Sequence, residues 1–294
     1  MNTNNTSKNN NYNNNNINQE IRIGILLFPG INCEEETKQA VESVGMKATI
    51  IKWTELFDKE IYQGYILPGG WSYEDRIRAG VIASHDPIMS ILKQEAKRGK
   101  PILGICNGAQ MLVEAGLVPG IQDNQVEFAL APNINKRVKG YYCTWIHIKL
   151  EEESAFVSRE DVGKVIPLPI AHGEGQFITN DREILVKLIE NKGVAARYCN
   201  VQGEIINDFP INPNGSIYNI AALTNKQKNV MAIMPHPERA AWKKQLPVKE
   251  HGVSYRYFME SGHGRLFFEN MKKYIEAKAE DDDQNNKEVN YELY

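Results

Sequence analysis

Residues 101–110 read Pro-Ile-Leu-Gly-Ile-Cys-Asn-Gly-Ala-Gln and join a short apolar run to a helical pattern. The run Pro101–Ile105 is typical of a buried strand, and Ala109–Ala115 is typical of a helix. Between them, Gly104–Gly108 has the form Gly-x-nucleophile-x-Gly, the nucleophile elbow of a sharp strand-to-helix turn, with cysteine in the place of serine. Small flanking residues permit this turn, and the amino terminus of a helix favours the thiolate over the thiol. We therefore predict that Cys106 is a nucleophile at the carboxyl end of a strand.

Short apolar runs alternate with helical patterns through the first 120 residues, which predicts βαβ units around a parallel sheet. The predicted strands in this half are Ile21–Phe28, Ala48–Ile51, Tyr65–Leu67 and Pro101–Ile105. Asn32 is expected to cap the helix after the first strand, with Glu35 completing a capping box. Asp86 and Pro87 are expected to begin the helix before the fourth strand.

After about residue 120 the periodicity loosens into strand-like pieces joined by Asn, Pro and Gly turns. These pieces are Tyr141–Leu150, Val165–Ala171 and Val230–Met234, and helical spacing returns at Gly264–Ala277. The expected fold class is therefore α/β: an open, mostly parallel twisted sheet with helices on both faces and additional strands in the second half.

Composition and charge narrow the class of protein. The 294 residues are 42% hydrophobic and 24% charged, close to the globular norm. A net charge of -3 offers no basic field to nucleic acid or anionic lipid. The sequence shows no secretory signal order, and no apolar run approaches the roughly 20 residues that span a bilayer. We expect a cytoplasmic protein that binds neither nucleic acid nor membrane.

The two ends of the chain differ from its body. Asn occupies eleven of residues 1–20, a stretch with almost no apolar side chains to offset the entropy of ordering. Residues 278–294 include the acidic run Glu280–Asp283 and read as a solvated polar segment. The expected organisation is a disordered tail at 1–20, a single domain at 21–277 and a polar acidic tail at 278–294.

The four cysteines give no sign of a metal site or of a disulfide framework. Cys33, Cys106, Cys143 and Cys199 lie far apart, and the sequence has no Cys-x-x-Cys pair. Neither Gly-x-x-x-x-Gly-Lys-[Ser/Thr] nor Gly-x-Gly-x-x-Gly occurs, so the sequence shows no familiar phosphate cradle. We expect no metal and no cofactor on this chain, and we expect any ATP chemistry to belong to another protein.

A thiol nucleophile needs a base, and the base needs an orienting group. Met234–Arg239 reads Met-Pro-His-Pro-Glu-Arg and comes directly after the apolar run that begins at Val230. His236 should therefore lie just past a strand end, and Glu238, two residues along an extended chain, should return to the same side. We predict that His236 is the general base and acid, and that Glu238 orients and stabilises its imidazole.

Two further turns follow predicted strands, where ligand crevices of parallel sheets lie. In Pro68–Gly70, the Gly70 N–H is a predicted donor, together with the Asn107 N–H, to the negative oxygen of a tetrahedral intermediate. Ala171–Gly175 reads Ala-His-Gly-Glu-Gly and forms no metal-ligand spacing. Two interpretations of His172 stay open, a second base or substrate contact and a turn with a satisfied histidine.

Together these motifs resemble those of the class I (triad) glutamine amidotransferases. The resemblance runs from about Ile21 to Ile275. The stretches that carry it, in that family's order, are Phe28–Cys33, Leu67–Tyr73, Arg78–Gly80, Gly104–Gln110, Pro169–Gly175 and Met234–Arg239. The strings Ala-His-Gly-Glu-Gly and Leu-Pro-Gly-Gly-x-Ser-Tyr are similar to those of the glutaminase subunits of phosphoribosylformylglycinamidine synthase. Glu74 departs from the pattern, because that family commonly has a small residue there.

The resemblance implies a flavodoxin-like glutaminase. Cys106 would attack the side-chain amide of glutamine, release ammonia and form a glutamyl thioester that water hydrolyses, with His236 and Glu238 completing the triad. The two backbone donors would form the oxyanion hole, and Gln110 would contact the bound glutamine. The ammonia would pass to a large synthetase subunit, which uses ATP and Mg²⁺ to convert formylglycinamide ribonucleotide into its amidine, often with a small bridging subunit present.

Other interpretations match parts of the sequence. One is a glutaminase subunit that serves another acceptor synthetase. A second is a catalytically silent scaffold subunit, against which the complete Cys, His and Glu set argues. A third is a cysteine peptidase or related hydrolase on the same kind of sheet, which only the elbow supports. The loops at 120–165 and 239–263 are expected to surround the strand ends and to provide docking surfaces.

Overall fold

The computed structural model describes residues 20–122, 125–134, 137, 139–247 and 260–291. The tail predicted at 1–20 lies outside these residues, apart from Glu20. The strands are β1 Arg22–Leu27, β2 Lys47–Lys52, β3 Gly64–Leu67, β4 Ile102–Ile105, β5 Ala129–Pro132, β6 Tyr142–Leu150, β7 Val165–His172, β8 Glu174–Ile178, β9 Val194–Cys199, β10 Ile220–Thr224 and β11 Val230–Ile233. The α-helices are α1 Glu34–Ser43, α2 Val81–Ser84, α3 Pro87–Lys97, α4 Asn107–Glu114, α5 Arg182–Glu190 and α6 Leu266–Tyr291.

A nine-stranded sheet forms the centre of the molecule, in the order β2-β1-β3-β4-β11-β10-β9-β6-β7. The pairs from β2 to β11 are parallel, and each pair from β11 to β7 is antiparallel. Only β10 and β6 therefore run against the other strands of this sheet. A separate two-stranded sheet pairs β5 with β8. The predicted α/β class, with an open, mostly parallel sheet and additional strands in the second half, is confirmed.

The central strands are apolar because they are covered on both sides. Every residue of β3, β4 and β11 is buried, as expected for parallel strands beneath helices on both faces. By contrast, β7 alternates between buried and half-buried positions. The strand predictions of the first half are correct to within one or two residues, because continuous apolar runs bounded by Gly and Pro are a strong local signal.

The strand directions gather several loops at one edge of the sheet. Because β1, β3, β4, β7 and β11 point the same way, their carboxyl ends lie along that edge. The loops that follow β1, β3, β4 and β11 carry Cys33, Gly70, Cys106 and His236, and His172 is the last residue of β7. All five residues, from distant parts of the sequence, are thus placed on the same side of the molecule.

The first helix begins differently from the sequence-based prediction. Cys33 is the N-cap residue of α1, and no side chain caps this helix. The predicted Asn32 cap and its capping box with Glu35 are therefore wrong. The N–H groups of Asn32 and Cys33 both donate to the Gly69 carbonyl oxygen, at 3.3 and 3.2 Å, which fixes this turn against the loop after β3. The Asp86 cap of α3 is confirmed, because its carboxylate accepts from the Ile88 N–H at 3.1 Å.

The last helix extends beyond its predicted end. It was expected over Gly264–Ala277, whereas α6 continues to Tyr291. The added residues contain neither Gly nor Pro, so nothing in the sequence stops the helix. Lys278 also fixes the extension, since its Nζ donates to the Arg98 carbonyl oxygen at 2.6 Å. None of the described helices combines the length and the apolar character that crossing a bilayer requires.

Candidate active site

The sharp turn predicted at the elbow is present between β4 and α4. Cys106 has φ 51° and ψ -104°, a backbone conformation that is costly for a residue with a side chain. Its N–H donates to the Ile233 carbonyl oxygen at 2.8 Å, which anchors the turn to β11. A methyl group on Gly108 would lie 1.9 Å from the Leu67 carbonyl oxygen, so only glycine fits there. The surrounding fold thus holds Cys106 in a strained position at the strand end.

His236 and Glu238 form a buried pair beyond the end of β11. His236 Nδ1 and Glu238 Oε1 lie 2.6 Å apart, and the two residues are 2% and 0% exposed. The backbone N–H of His236 donates to the Pro169 carbonyl oxygen of β7 at 2.8 Å. An extended chain was expected here. Instead, Pro237–Ala240 forms a 3₁₀ turn. Proline favours the first position of such a turn, and the turn returns the Glu238 carboxylate to the imidazole.

The charge of Glu238 determines the protonation of His236. Burial by itself lowers the pKa of an imidazole, because it disfavours the charged form. The Glu238 carboxylate and the Cys106 sulfur outweigh burial, and the pKa of His236 lies well above its ordinary value. His236 is therefore suited to accept and hold a proton next to Cys106.

The thiol of Cys106 and the imidazole of His236 meet at Gly69. Cys106 Sγ lies 3.6 Å from the Ala171 carbonyl oxygen, within the range of a weak S–H hydrogen bond. A methyl group on Gly69 would lie 2.7 Å from His236 Cε1 and 3.4 Å from the Cys106 Cβ. The loop after β3 thus borders both side chains, and because Gly69 has no Cβ, there is room for them.

The two predicted oxyanion donors are carried on adjoining segments. Gly70 has φ +151°, and a methyl group on it would lie 2.6 Å from the Ile31 Cα, so this position requires glycine. Asn107 is the first residue of α4, where backbone N–H groups have no acceptor within the helix. Its side-chain oxygen accepts from the Ser72 N–H at 3.0 Å and joins the two segments. The turns after β3 and β4 therefore adjoin.

Gln110 lies in the same network, one helical turn beyond Cys106. Its Nε2 donates to the Glu174 carbonyl oxygen at 2.6 Å, and its Oε1 accepts from Asn107 Nδ2 at 2.7 Å. The side chain is 4% exposed. Gln110 therefore connects the elbow to the segment after β7 in this structure.

His172 is buried at the end of β7 and has a neutral partner. Its Nδ1 lies 3.1 Å from the Asn133 side-chain oxygen, while the Asn133 Nδ2 donates to the His172 carbonyl oxygen at 2.7 Å. Burial, with a smaller contribution from His236, lowers the pKa of His172 to about 3. A methyl group on Gly175 would lie 2.2 Å from the His172 ring, so this glycine makes room for the imidazole. His172 is neutral, which disfavours the second base. Its Nε2 is buried without a hydrogen-bond partner among the described residues, so the turn does not fully satisfy the ring.

The sequence did not single out Cys33, which lies beside the pair of His236 and Glu238. Cys33 Sγ accepts a hydrogen bond from Arg239 Nη2 at 3.2 Å and donates one to the Asn32 side-chain oxygen at 3.3 Å. Burial raises the pKa of this thiol. No local pattern around Cys33 shows its place in the site, because Arg239 and the pair of His236 and Glu238 come from the other end of the chain.

Two carboxylates lie next to the elbow: that of Asp75, which was missed, and that of Glu174, which was noted only as part of Ala-His-Gly-Glu-Gly. Asp75 Oδ1 accepts from Asn107 Nδ2 at 3.1 Å, and Glu174 Oε2 accepts from the Ala79 N–H at 3.1 Å. Burial and the negative charge of Glu174 raise the pKa of Asp75 to about 6. The available signal was the position of Asp75, just after the Gly-Gly turn that follows β3.

Comparison of the sequence with protein families and with known proteins points to glutamine amidotransferases in each case. Residues 20–275 match the family described as the CobB/CobQ-like glutamine amidotransferase domain. The chain is 44% identical over 268 residues to the phosphoribosylformylglycinamidine synthase subunit PurQ of Methanothrix thermoacetophila, covering 88% of this chain and 99% of the relative. It is 39% identical to the same subunit of Pyrococcus horikoshii over 75% of this chain and 90% of the relative.

Solved structures show the same relationship. A chain of PurLQS from Thermotoga maritima superposes with a TM-score of 0.67 at 28% identity, covering 87% of this chain and 99% of the other. A glutamine amidotransferase from the same organism, at 14% identity and a TM-score of 0.51, shares the fold. The chain therefore belongs to the glutamine amidotransferases and, among them, to the PurQ family, the glutaminase subunits of phosphoribosylformylglycinamidine synthase.

Proposed function

We propose that Cys106, His236 and Glu238 are the catalytic triad with which this glutaminase subunit hydrolyses the side-chain amide of glutamine. The observation that carries the proposal is the buried 2.6 Å contact between His236 and Glu238, beside a cysteine in a strained strand-to-helix turn. A nucleophile, a base and a group that orients the base are the three parts that such chemistry requires.

The first half of the reaction forms a thioester. His236 takes the proton of the Cys106 thiol, and the thiolate attacks the amide carbon of glutamine. His236 then gives this proton to the nitrogen, the carbon–nitrogen bond breaks and ammonia leaves. In the second half His236 takes a proton from water, whose oxygen attacks the thioester, and the proton returns to the Cys106 sulfur as glutamate leaves. The Glu238 carboxylate stabilises the protonated imidazole in both halves.

The negative oxygen of each tetrahedral intermediate needs donors in a fixed position. We assign this role to the N–H groups of Gly70 and Asn107. Gln110 is proposed to contact the bound glutamine, which would exchange one of its present hydrogen bonds for a bond to substrate. For His172 we propose a substrate contact through a neutral ring nitrogen, because a pKa of about 3 makes it a poor base near neutral pH.

The ammonia is proposed to pass to a large synthetase subunit, which uses ATP and Mg²⁺ to make the amidine, with a small bridging subunit in the complex. The name of the related Thermotoga maritima structure, PurLQS, supports such an assembly. Two partly exposed aromatic rings stack on each other, since the ring centroids of Trp71 and Tyr141 lie 6.0 Å apart. Partial burial and the nearby charge of Cys106 raise the pKa of Tyr141, which indicates that this ring is close to the proposed nucleophile. We propose that this aromatic pair contacts the synthetase.

The catalytic unit is proposed to be residues 21–277, with the tails at 1–20 and 278–294 outside it. The extent of the family match, residues 20–275, supports this division. We propose that the subunit works in the cytoplasm, because a thiol nucleophile next to a second thiol is best kept reduced there.

A reactive glutamine analogue tests the proposed nucleophile. The full chain is incubated with 6-diazo-5-oxo-norleucine, with and without its synthetase subunit, and the adducts are located by peptide mass spectrometry. We expect an adduct on Cys106 that glutamine prevents. Cys106→Ala should lose the adduct and at least about 10³-fold of ammonia release, whereas Cys143→Ser, which changes an exposed cysteine, should keep both. Labelling of another residue, or ammonia release by Cys106→Ala, would refute the assignment.

A further inference from the structure

A second thiol beside the proposed triad completes a set of metal-ligating atoms. Cys33 Sγ, one ring nitrogen of His236 and one carboxylate oxygen of Glu238 all lie within 4.8 Å of one another. Among the described residues, this is the one such group of His, Cys, Asp and Glu side chains. All three residues are buried. A sulfur, a nitrogen and an oxygen form the kind of ligand set that Zn²⁺ accepts, with a fourth position left for water.

The same residues carry polar atoms with weak partners or none. Glu238 Oε2 is buried without a hydrogen-bond partner in the part of the chain that the structure describes, and beyond Glu238 the His236 ring has only the weakly bonding sulfurs of Cys106 and Cys33. A buried polar atom without a partner costs free energy, so such atoms in native proteins call for an explanation. A cation held between these side chains would supply the missing interaction.

We propose that Cys33, His236 and Glu238 bind a borderline divalent cation such as Zn²⁺, and that this cation inhibits glutamine hydrolysis. Binding forms metal bonds to Cys33 Sγ, to a ring nitrogen of His236 and to a carboxylate oxygen of Glu238. The Cys33 thiol proton and the proton that the His236 imidazolium carries on the ligating nitrogen are released to solvent. The cation then occupies the imidazole and the carboxylate that proton transfer requires. Cation binding stands on the geometry alone, whereas the inhibition rests on the function proposed above.

The chemistry of the three ligand atoms favours this cation over Mg²⁺. Mg²⁺ prefers oxygen ligands in octahedral geometry and gives up water reluctantly, so the sulfur and the nitrogen select against it. The Mg²⁺ that accompanies ATP on a synthetase subunit would therefore leave this site unaffected.

Cobalt absorption spectroscopy on the full, chelator-treated chain tests the binding. Co²⁺ should produce a thiolate charge-transfer band that stoichiometric Zn²⁺ removes and excess Mg²⁺ does not. Cys33→Ser and Cys33→Ala should lose the band and bind Zn²⁺ at least about tenfold more weakly. Cys106→Ser and Cys143→Ser should keep it. Thermal unfolding followed by circular dichroism establishes that each variant is folded.

Two results would overturn the proposal. One is the absence of the band in the unmodified chain. The other is a band that Cys106→Ser abolishes and the Cys33 variants retain, which would place the metal on the nucleophile. Inhibition is read separately as ammonia release: Zn²⁺ should inhibit the unmodified chain and Cys143→Ser, a chelator should restore both, and the activity that Cys33→Ser retains should resist Zn²⁺. If the band is present in a chain that never hydrolyses glutamine, the proposed function fails and the metal site stands.

Discussion

The segments His172–Glu174 and His236–Glu238 have the same spacing, His-x-Glu, and both follow strands that end at the same edge of the sheet. After His172, Gly173 connects β7 to β8, and the Glu174 carboxylate turns away to the Ala79 N–H at 3.1 Å. After His236, a proline begins a 3₁₀ turn that brings the Glu238 carboxylate to 2.6 Å from the imidazole. The residue between the His and the Glu, rather than the spacing, therefore determines whether the two side chains meet.

The two imidazoles differ correspondingly in charge. Both are buried, at 3% and 2% exposure. His172 has the neutral amide of Asn133 as its partner, and burial lowers its pKa to about 3. His236 has a carboxylate as its partner, which outweighs burial and raises its pKa well above the ordinary value. Because burial is nearly equal, the difference comes from the charges around each ring: Glu238 and the Cys106 sulfur raise the pKa of His236, whereas the charge of His236 adds to the lowering of the pKa of His172.

The largest effect is expected when His236 is given the kind of partner that His172 has. Glu238→Gln replaces the carboxylate with an amide and removes the charge that stabilises the protonated imidazole. The kcat for ammonia release should fall by about 10²- to 10⁴-fold. The matched control is Glu174→Gln, whose amide oxygen can still accept from the Ala79 N–H and which should lose less than roughly tenfold. Equal losses of kcat in the two variants would show that the Glu238 carboxylate matters no more to catalysis than the Glu174 carboxylate.

The reverse exchange gives His172 a carboxylate. Asn133→Asp should lower the free energy of unfolding by about 3 kcal/mol near pH 7, measured by urea denaturation. The Asn133 amide donates to the carbonyl oxygens of Gly140 and His172, at 2.9 and 2.7 Å, and a carboxylate would turn both bonds into oxygen–oxygen contacts. Asn180→Asp changes an exposed amide and should stay within about 0.5 kcal/mol. An undiminished stability of Asn133→Asp would mean that His172 takes up a proton and pairs as His236 does.

The comparison also shows why the site was only partly predictable. Cys106 could be identified because its signal is local: an apolar strand, a glycine on each side and a helix. The pairing of His236 with Glu238 was expected from spacing, but the same spacing at His172 left two interpretations open. The contact of Cys33 with His236 joins distant parts of the sequence, so neither the spacing of the cysteines nor their surroundings could predict it.

The fold was predictable to a similar degree. The strands of the parallel half are continuous apolar runs between Gly and Pro, and their parallel pairing is what alternating strand and helix patterns predict. β5, β8, β9 and β10 were not predicted. β5 and β8 are short and half-buried, and such strands depend on their pairing partners more than on their own residues. β9 and β10 are almost wholly buried, and short apolar runs of this kind do not by themselves distinguish a strand from a helix segment. The end of α6 was placed too early, since a polar composition was interpreted as a tail although it contains good helix-forming residues.

A smaller effect is expected from Asp75. The Glu174 carboxylate does not pair with the His172 imidazole, and its charge acts on Asp75 instead. The pKa of Asp75 is raised from 3.8 to about 6, so the folded chain favours the protonated acid. The resulting contribution to stability is complete below about pH 4 and is lost as the pH rises through about 6. Asp75→Asn removes this loss and should be about 1 kcal/mol more stable than the unmodified chain near pH 8, with no difference near pH 4. Urea denaturation across this range measures it, and a difference independent of pH would contradict it.

The smallest effect concerns the backbone of the loop that holds Asp75 near Glu174. Tyr73, Glu74 and Asp75 have φ of 52°, 59° and 51°, in the left-handed region that favours glycine. The exposed ion pair of Glu74 with Arg76 adds little to stability. Glu74→Gly should therefore raise the free energy of unfolding by about 0.5 kcal/mol, the relief of left-handed strain less the entropy that glycine loses on folding. Glu74→Ala removes the same carboxylate and keeps the strain, so it should give no gain in urea denaturation. An equal gain in the two variants would assign the effect to charge repulsion between this loop and Glu174 instead of to the backbone.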